Sequence, residues 1–320
     1  ETVLPIQGPP GSGKTYTGAR MIRELLRNGR KVGITGTSHK VIGNLLRAVL
    51  DADDEPADVR PVQRGDAVQV LDDERVVRGT SSQQVRERLE SGESNLAAGT
   101  AWLWSSEKMI GAVDVLFVDE AGQISLANVI AMSTAARSIV LLGDPQQLDQ
   151  PMQGSHPPGA DGSALAHVLA GAATIPPDRG LFLETTWRLH PALCDFTSEV
   201  FYDRRLEPEG HLGVQRLTTP DGRLDGVGPR RIDVETIGAD SENPAEAEAV
   251  AALVRSLVGG RTLWTDDKGI ARPVGWPDVL VVAPYNAQVG AIRRLLPQEA
   301  RVGTVDKFQG QEAPISIYSL

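Results

Sequence analysis

Eight residues near the start of the chain, Gly8-Pro9-Pro10-Gly11-Ser12-Gly13-Lys14-Thr15, have the types and spacing of a loop that holds phosphate. Glycines let successive backbone N–H groups turn inward around a β-phosphate, and a following helix adds its positive N-terminal end. Lys14 then reaches the β- and γ-phosphates, and the Thr15 hydroxyl is placed to ligate Mg²⁺. Such a loop works only between a strand and a helix. An apolar run at 3–6 precedes it, and Met21, Ile22, Leu25 and Leu26 follow at helical spacing. A chance glycine-rich turn would not have that setting.

A second constellation closes the apolar run 113–118, which ends in Asp119 and Glu120. In a phosphate-loop fold a neighbouring strand delivers its terminal acid beside the loop, where it holds the Mg²⁺ hydration shell. Asp119 fits that role. Glu120, one residue further on, fits a general base that orients and deprotonates an attacking water. A solvated strand end would carry acids too, but the pair together with the loop favours hydrolysis. A kinase or GTPase has no need of a glutamate directly after the magnesium aspartate, whereas an ATP-driven motor does.

These side chains need strands and helices in alternation, and the pattern supplies them. Strand, loop and helix over 3–28 are followed by a short strand at 31–35 and a helix at 41–50, with Val41, Ile42, Leu45, Leu46 and Val49 on one face. Asn28 and Gly29 close the first helix. This alternation predicts a doubly wound parallel sheet. Residues 51–100 loosen into acidic, Pro- and Ser-containing sequence with one helix near 83–89 and read as an insertion. Order returns in the strand at 113–118 and another at 139–142. A Pro/Gly-rich loop at 151–162 and the Pro176-Pro177 pair then mark the approach to a boundary. Beyond it come a polar stretch at 207–243, a helix at 244–258, a strand at 279–282, a helix at 286–296 and a strand at 301–305. The expectation is two α/β domains, 1–178 and 179–320.

Composition bounds the rest. With 320 residues, 41% hydrophobic and 23% charged, the chain can bury two ordinary cores and is neither disordered nor fibrous. The net charge of −10 argues against a uniformly basic duplex-binding surface while leaving room for a local groove. No apolar run is long enough to span a membrane, so a cytoplasmic protein with no membrane partner is expected. The single cysteine, Cys194, builds neither a disulfide nor a zinc site and reads as a small buried residue. The chain opens and closes in apolar stretches, which suggests a piece of a longer polypeptide.

Taken in order, the motifs resemble superfamily 1 helicases, in the subgroup that includes the nonsense-mediated-decay helicase and the immunoglobulin-mu-binding helicase. Besides GPPGSGKT there are VDEAGQ (118–123), LLGDPQQL (141–148), TTWRLHP (185–191), VAPYNAQ (282–288) and VGTVDKFQGQE (302–312). The resemblance implies two RecA-like domains with parallel sheets, ATP and Mg²⁺ in the site, and hydrolysis coupled to 5′ to 3′ movement along single-stranded DNA or RNA. Arginine far outnumbers lysine, as in GC-rich bacterial coding, and some bacterial relatives carry a RecB-like nuclease domain in the same polypeptide.

The resemblance also implies roles for single residues. Gln147 would contact the γ-phosphate and report its loss. Arg188 would approach that phosphate from the second domain, adding positive charge where the transition state develops negative charge. Tyr285 resembles the aromatic that stacks on adenine, with core packing as its competitor, and Glu312 the acid near ribose or phosphates, with Gln309 and Gly310 beside it. Thr37, Ser38 and His39, with Thr304 from the second domain, would hold the backbone of a single strand. His39 could equally serve as a helix cap, and Gln7 could lie near the nucleotide or be structural. Trp102, Trp104 and Trp187 read as core. The family's last motif, with a second arginine, would follow 312, and its adenine-reading glutamine would precede Glu1. Two rivals stay open: a phosphate-loop ATPase indifferent to nucleic acid, and a helicase-like module that binds a strand without turnover.

Overall fold

The computed structural model describes residues 2–53, 55–147, 162–235, 241–308 and 311–320. The expected loop at 151–162, apart from its last residue, and the Gln309–Gly310 pair lie outside the described residues. The chain forms two compact units, 1–189 with 194–209, and 190–193 with 210–320.

In chain order the first unit holds β1 (Thr2–Gln7), α1 (Lys14–Arg27), β2 (Val32–Thr35), α2 (His39–Asp51), β3 (Pro61–Arg64), β4 (Val77–Gly79), α3 (Ser82–Glu90), β5 (Leu96–Ala98), α4 (Ala101–Trp104), β6 (Val113–Val118), α5 (Leu126–Ser133), β7 (Ala136–Gly143), α6 (Ala164–Leu169), β8 (Leu181–Phe182) and β9 (Thr185–Thr186). Helix α7 (Pro191–Phe201) begins in the second unit and ends in the first, and β10 (Glu207–Pro208) pairs with β9. One eight-stranded sheet, ordered β4-β3-β5-β2-β6-β7-β1-β8, runs through the unit, and all its pairings are parallel.

Central strands in such a sheet are covered on both faces and so read as continuous apolar runs. Along β6 the side chains alternate between two cores. Phe117 joins Ile22, Leu26, Ile42, Leu45, Leu46 and Val49 of α1 and α2, while Leu116 and Val118 join Val85, Leu89, Trp104, Val129, Met132 and Leu165 of α3 to α6. Each fully buried large aliphatic contributes about 1.5–3 kcal/mol, so the two layers hold the sheet rigid.

Residues 51–100 do not loop out. Three short strands from this stretch, β3, β4 and β5, extend the main sheet, with β5 wedged between β3 and β2. At three or four residues each they are too short to show a period. Similarly, β8 pairs with the end of β1 through Ile6↔Leu181 and Gln7↔Phe182, so the chain stays with the first unit past the expected break at 178.

The second unit contains β11 (Arg216–Thr218), α8 (Pro244–Val258), β12 (Leu263–Thr265), β13 (Ala271–Pro273), β14 (Val279–Val282), α9 (Asn286–Leu295), β15 (Arg301–Gly303), α10 (Val305–Phe308) and β16 (Ile315–Tyr318). Its parallel sheet is ordered β15-β14-β16, with β14 buried throughout and packed under α8 and α9. An antiparallel sheet, β11-β12-β13, stands beside it and has no forerunner in the sequence reading. Both units are thus α/β, and the phosphate loop follows the first strand of the first. Among the described residues no helix is long and apolar enough to cross a membrane.

Candidate nucleotide site

Strand β1 delivers the chain to Gly8, whose N–H donates to Gly143 O at 2.9 Å and so fastens the loop to the end of β7. The loop then curls: Ser12 N donates to Pro9 O at 3.1 Å, and Gly11 and Gly13 have φ of 76° and 79°. That left-handed backbone is open to glycine at little cost. Helix α1 starts from Gly13 with no side-chain cap and no acid in its first turn, which leaves its N-terminal end available to an anion. Lys14 Nζ donates to Gly8 O at 2.6 Å, and Thr15 is half-buried beside it. A Cβ at Gly8 would collide with the Lys14 stem and stand 2.7 Å from Ser12 Oγ.

Ser12 Oγ is buried and has no hydrogen-bond partner. Buried hydroxyls are nearly always paired. An orphaned hydroxyl, an uncapped helix end and an ammonium resting on a loop carbonyl together fit a nucleotide polyphosphate with its Mg²⁺. Thr15 and Asp119 are the side chains that would hold the cation, which neutralises phosphate charge when bound.

The acids arrive on β6, two places from β1 in the sheet. Asp119 N donates to Thr35 O at 2.9 Å, and its carboxyl accepts the adjacent Glu120 N–H at 3.0 Å. Burial foremost, then the charge of Glu120, pushes the Asp119 carboxyl up to about 7, against the opposing pull of the Glu120 N–H and Lys14. Glu120 itself has φ of 55°, a conformation costing a non-glycine residue about 1 kcal/mol or more. The turn is fixed on both sides: Ala121 N donates to Leu142 O and Gln123 N to Glu120 O, each at 2.8 Å. Gly122 and Gly143 make this possible. A Cβ on Gly122 would strike Asp144 O, and one on Gly143 would lie 2.6 Å from Gly122 N.

Gln147 stands half-buried in the loop after β7, its N–H donating to Asp144 O at 3.3 Å. Asp144 is 1% exposed, and its carboxyl accepts Gln146 N at 3.2 Å and the Tyr202 hydroxyl at 2.7 Å. Arg188 is placed otherwise than expected. It belongs to the first compact unit, where β8 and β9 carry it across the phosphate loop. Trp187 N donates to Gly11 O at 2.9 Å, Thr186 Oγ1 to Pro10 O at 3.1 Å, and a Cβ on Gly11 would collide with that of Arg188. Pro9 is buried and Pro10 half-buried beneath this segment. Gln7 turns out to be structural: its amide donates to Ala173 O at 3.0 Å and accepts Ile175 N at 2.8 Å.

Thr37, Ser38 and His39 lie at the carboxyl end of β2, on the same edge of the sheet as the phosphate loop. Ser38, not His39, caps α2, accepting Val41 N at 3.3 Å. His39 is half-buried over Gly65, and its Nδ1 has no partner, nor do the buried Thr35 Oγ1 and Arg64 Nε. Burial lowers the His39 pKa, Arg64 adds to that, and Asp66 opposes it. Arg64 gave no motif signal.

In the second unit Tyr285 occupies the N-cap position of α9, beyond the carboxyl end of β14, makes no side-chain cap and is 56% exposed, which removes core packing as its role. Thr304 follows β15 on the same edge, half-buried, with its carbonyl accepting Lys307 N at 3.1 Å. Glu312 is not brought there. Its carbonyl accepts from Arg301 Nη1 at 3.4 Å, at the opposite end of β15. Of Trp102, Trp104 and Trp187, Trp104 is core, its indole donating to Ile34 O and Gly99 O at 3.1 Å; Trp102 and Trp187 are exposed. A four-residue helix that turns Leu103 and Trp104 inward leaves Trp102 outside. Cys194 is buried as expected.

Known proteins match the chain along nearly its whole length. Two family models, each described as an AAA domain, match residues 1–157 and 164–320. The DNA polymerase alpha-associated DNA helicase A of Schizosaccharomyces pombe is 25% identical over 98% of this chain and 55% of its own length. The DNA-binding protein SMUBP-2 of Rattus norvegicus is 26% identical over 96% of the chain and 36% of its length. A Regulator of nonsense transcripts 1 homolog of Arabidopsis thaliana is 24% identical over 98% and 28%. The fold and site define an AAA-domain phosphate-loop protein. Within that class the chain is similar along nearly its whole length to superfamily 1 helicases of the nonsense-mediated-decay and immunoglobulin-mu-binding type. It spans about half, or less, of the length of these relatives.

Proposed function

We propose that the chain binds ATP with Mg²⁺ in the phosphate loop, hydrolyses it, and uses the cycle to move along a single strand of nucleic acid. The observation that carries this is the juxtaposition at one sheet edge of the loop with its orphaned Ser12 hydroxyl, the buried Asp119 and the strained Glu120. Gly8 to Gly13 and Lys14 hold the phosphates, and Thr15 and Asp119 hold the cation. Glu120 accepts a proton from the attacking water, which becomes the new phosphate oxygen as the bond to the leaving ADP breaks. Gln147 senses the γ-phosphate, Arg188 supplies charge from the segment lying on the loop, and Tyr285 stacks on the adenine.

Thr37, Ser38 and His39 in one unit and Thr304 in the other meet the strand's backbone through hydroxyls and amides, without reading sequence. Movement is 5′ to 3′, on DNA or RNA, in the cytoplasm. Steady-state ATP hydrolysis with and without oligo-dT or oligo-U, beside Lys14→Ala, tests the reading. Strand-stimulated turnover that vanishes in the variant supports it. Turnover indifferent to either strand favours a phosphate-loop ATPase of another kind, and ATP binding without turnover a strand-binding module. Oppositely tailed duplexes test direction, and unwinding of the 3′-tailed substrate alone would reject it.

A further inference from the structure

Beside the phosphate loop lies a partly buried polar network that no sequence motif announces. Its centre is the backbone at 173–175. Gln7, the residue just before the phosphate loop, pins Ala173 and Ile175 with both ends of its amide. Gln146 Nε2 donates to the same Ala173 O at 3.3 Å. From the other side Thr174 Oγ1 donates to Asp203 at 2.8 Å, and Arg205 donates to Thr174 Oγ1, Ile175 O and Glu184 at 3.3, 3.0 and 3.0 Å. The chain can reach back in this way because Asp203 and Arg204 both take left-handed backbone, φ 51° and 61°, in a sharp turn directly after Tyr202. Two consecutive such residues, neither a glycine, persist only where the surroundings enforce them.

What that turn presents is the Tyr202 hydroxyl. Tyr202 is 3% exposed, its ring stands 6.0 Å from that of Phe182 on β8, and its hydroxyl reaches Asp144 Oδ2 at 2.7 Å. Burial first, then Asp144, raises the Tyr202 hydroxyl far above its ordinary range, so it remains a donor. Asp144 in turn shapes the loop that carries Gln147: Oδ1 accepts Gln146 N at 3.2 Å and the main-chain carbonyl accepts Gln147 N at 3.3 Å. Asp144 O is also the atom that Gly122 of the acid turn is packed against. One phenol therefore fixes the side chain of a residue whose carboxylate holds Gln146 N and whose main-chain carbonyl meets both Gln147 N and the turn bearing Asp119 and Glu120.

We infer that Tyr202 is a positioning residue for γ-phosphate recognition, acting through Asp144 to hold Gln147 in register with the phosphate loop; this rests on the nucleotide-site reading above. A hydrogen bond to a charged group is a strong one, and its loss would let the 144–147 loop drift while leaving the sites for the α- and β-phosphates intact. The consequence is selective: ATP should suffer and ADP should not.

The test measures dissociation constants for ATP and ADP, with Mg²⁺, by titration calorimetry on the full chain, for wild type, Tyr202→Phe and Thr174→Val. The last breaks the Thr174–Asp203 bond in the same network without touching Asp144. Tyr202→Phe should weaken ATP about five- to tenfold, leave ADP within twofold, and lower strand-stimulated kcat more than it raises KM. Thr174→Val should keep the wild-type ratio of ATP to ADP affinity. An unchanged ratio in Tyr202→Phe, an equal fall in Thr174→Val, or a wild type that binds both nucleotides alike would overturn the inference. If Tyr202→Phe does not fold, Asp144→Asn, which keeps an acceptor oxygen and loses the charge, should show an intermediate fall, and a wild-type ratio there would refute the link. A wild type that prefers ATP and never hydrolyses it would refute the hydrolysis reading alone.

Discussion

Replacing Asp119 with asparagine should stabilise the nucleotide-free chain at alkaline pH while abolishing its turnover. The carboxyl is 5% exposed, and burial and the neighbouring Glu120 charge carry it from its ordinary 3.8 to about 7. Because the folded value lies above the unfolded one, the folded state holds the proton more tightly. Stability therefore falls as pH rises through the window between the two values and levels off above the upper one. Moving a carboxyl from 3.8 to about 7 corresponds, at 1.36 kcal/mol per pH unit, to about 4 kcal/mol in full. Between pH 5 and pH 8 wild type should lose about 2–3 kcal/mol of this, whereas Asp119→Asn has no such proton to lose. The assay is urea denaturation of both proteins at several pH values without nucleotide or Mg²⁺, followed through the transition of the first unit. A stability gap between variant and wild type that fails to widen by at least about 1 kcal/mol over that range would refute the burial argument. Adding Mg²⁺ and ATP should narrow the gap at pH 8, since a bound cation favours the ionised carboxylate that asparagine lacks.

Three further outcomes follow from the same geometry. Glu120→Gln should bind ATP as wild type does and lose turnover about a hundredfold or more; single-turnover rates within tenfold of wild type would show that another group takes the proton. Gly11→Ala, at φ +76° and with its new methyl against Arg188 and 2.9 Å from Thr186 Oγ1, should cost about 2–3 kcal/mol and weaken nucleotide binding, and an unshifted melting curve would contradict that packing. His39 is held toward its neutral form by burial, so His39→Ala should weaken strand binding at pH 7.5 without changing the slope of affinity against salt; a slope reduced by about one ion would mean that the ring binds as a cation.

Much of this site could be read from types and spacing because its parts are local. The phosphate loop is eight consecutive residues between a strand and a helix, and the acid pair ends a six-residue apolar strand, so each carries its own context. The rest was hidden for physical reasons. Strands β3, β4 and β5 are three or four residues long and take their stability from neighbours in the sheet, not from a pattern of their own. The two-residue pairing of β8 with β1, which keeps Arg188 in the compact unit of the phosphate loop, leaves no mark in hydrophobic period. The Tyr202–Asp144 bond joins residues 58 apart in sequence, and pairing across such a distance is decided by the fold.

The cost of this arrangement is concentrated on one edge of one sheet. Elsewhere in the first unit the choices agree with one another: apolar strands are sandwiched between two cores, and Ser38, Ser81, Ser125 and Ser163 each cap a helix. At the carboxyl edge they conflict. Asp119 is a buried acid with few partners, Glu120 sits in left-handed backbone, and Ser12 Oγ and Thr35 Oγ1 are buried without partners. Each feature destabilises the chain alone, and under the proposed function a cation would relieve Asp119 and a phosphate would relieve Ser12 and the uncapped α1. Local conflicts of this sort are expected where a fold serves function rather than stability. Nucleotide should accordingly stabilise this edge more than the rest of the unit, and amide exchange with and without Mg²⁺ and ATP should show protection growing first at residues 8–15 and 119–123.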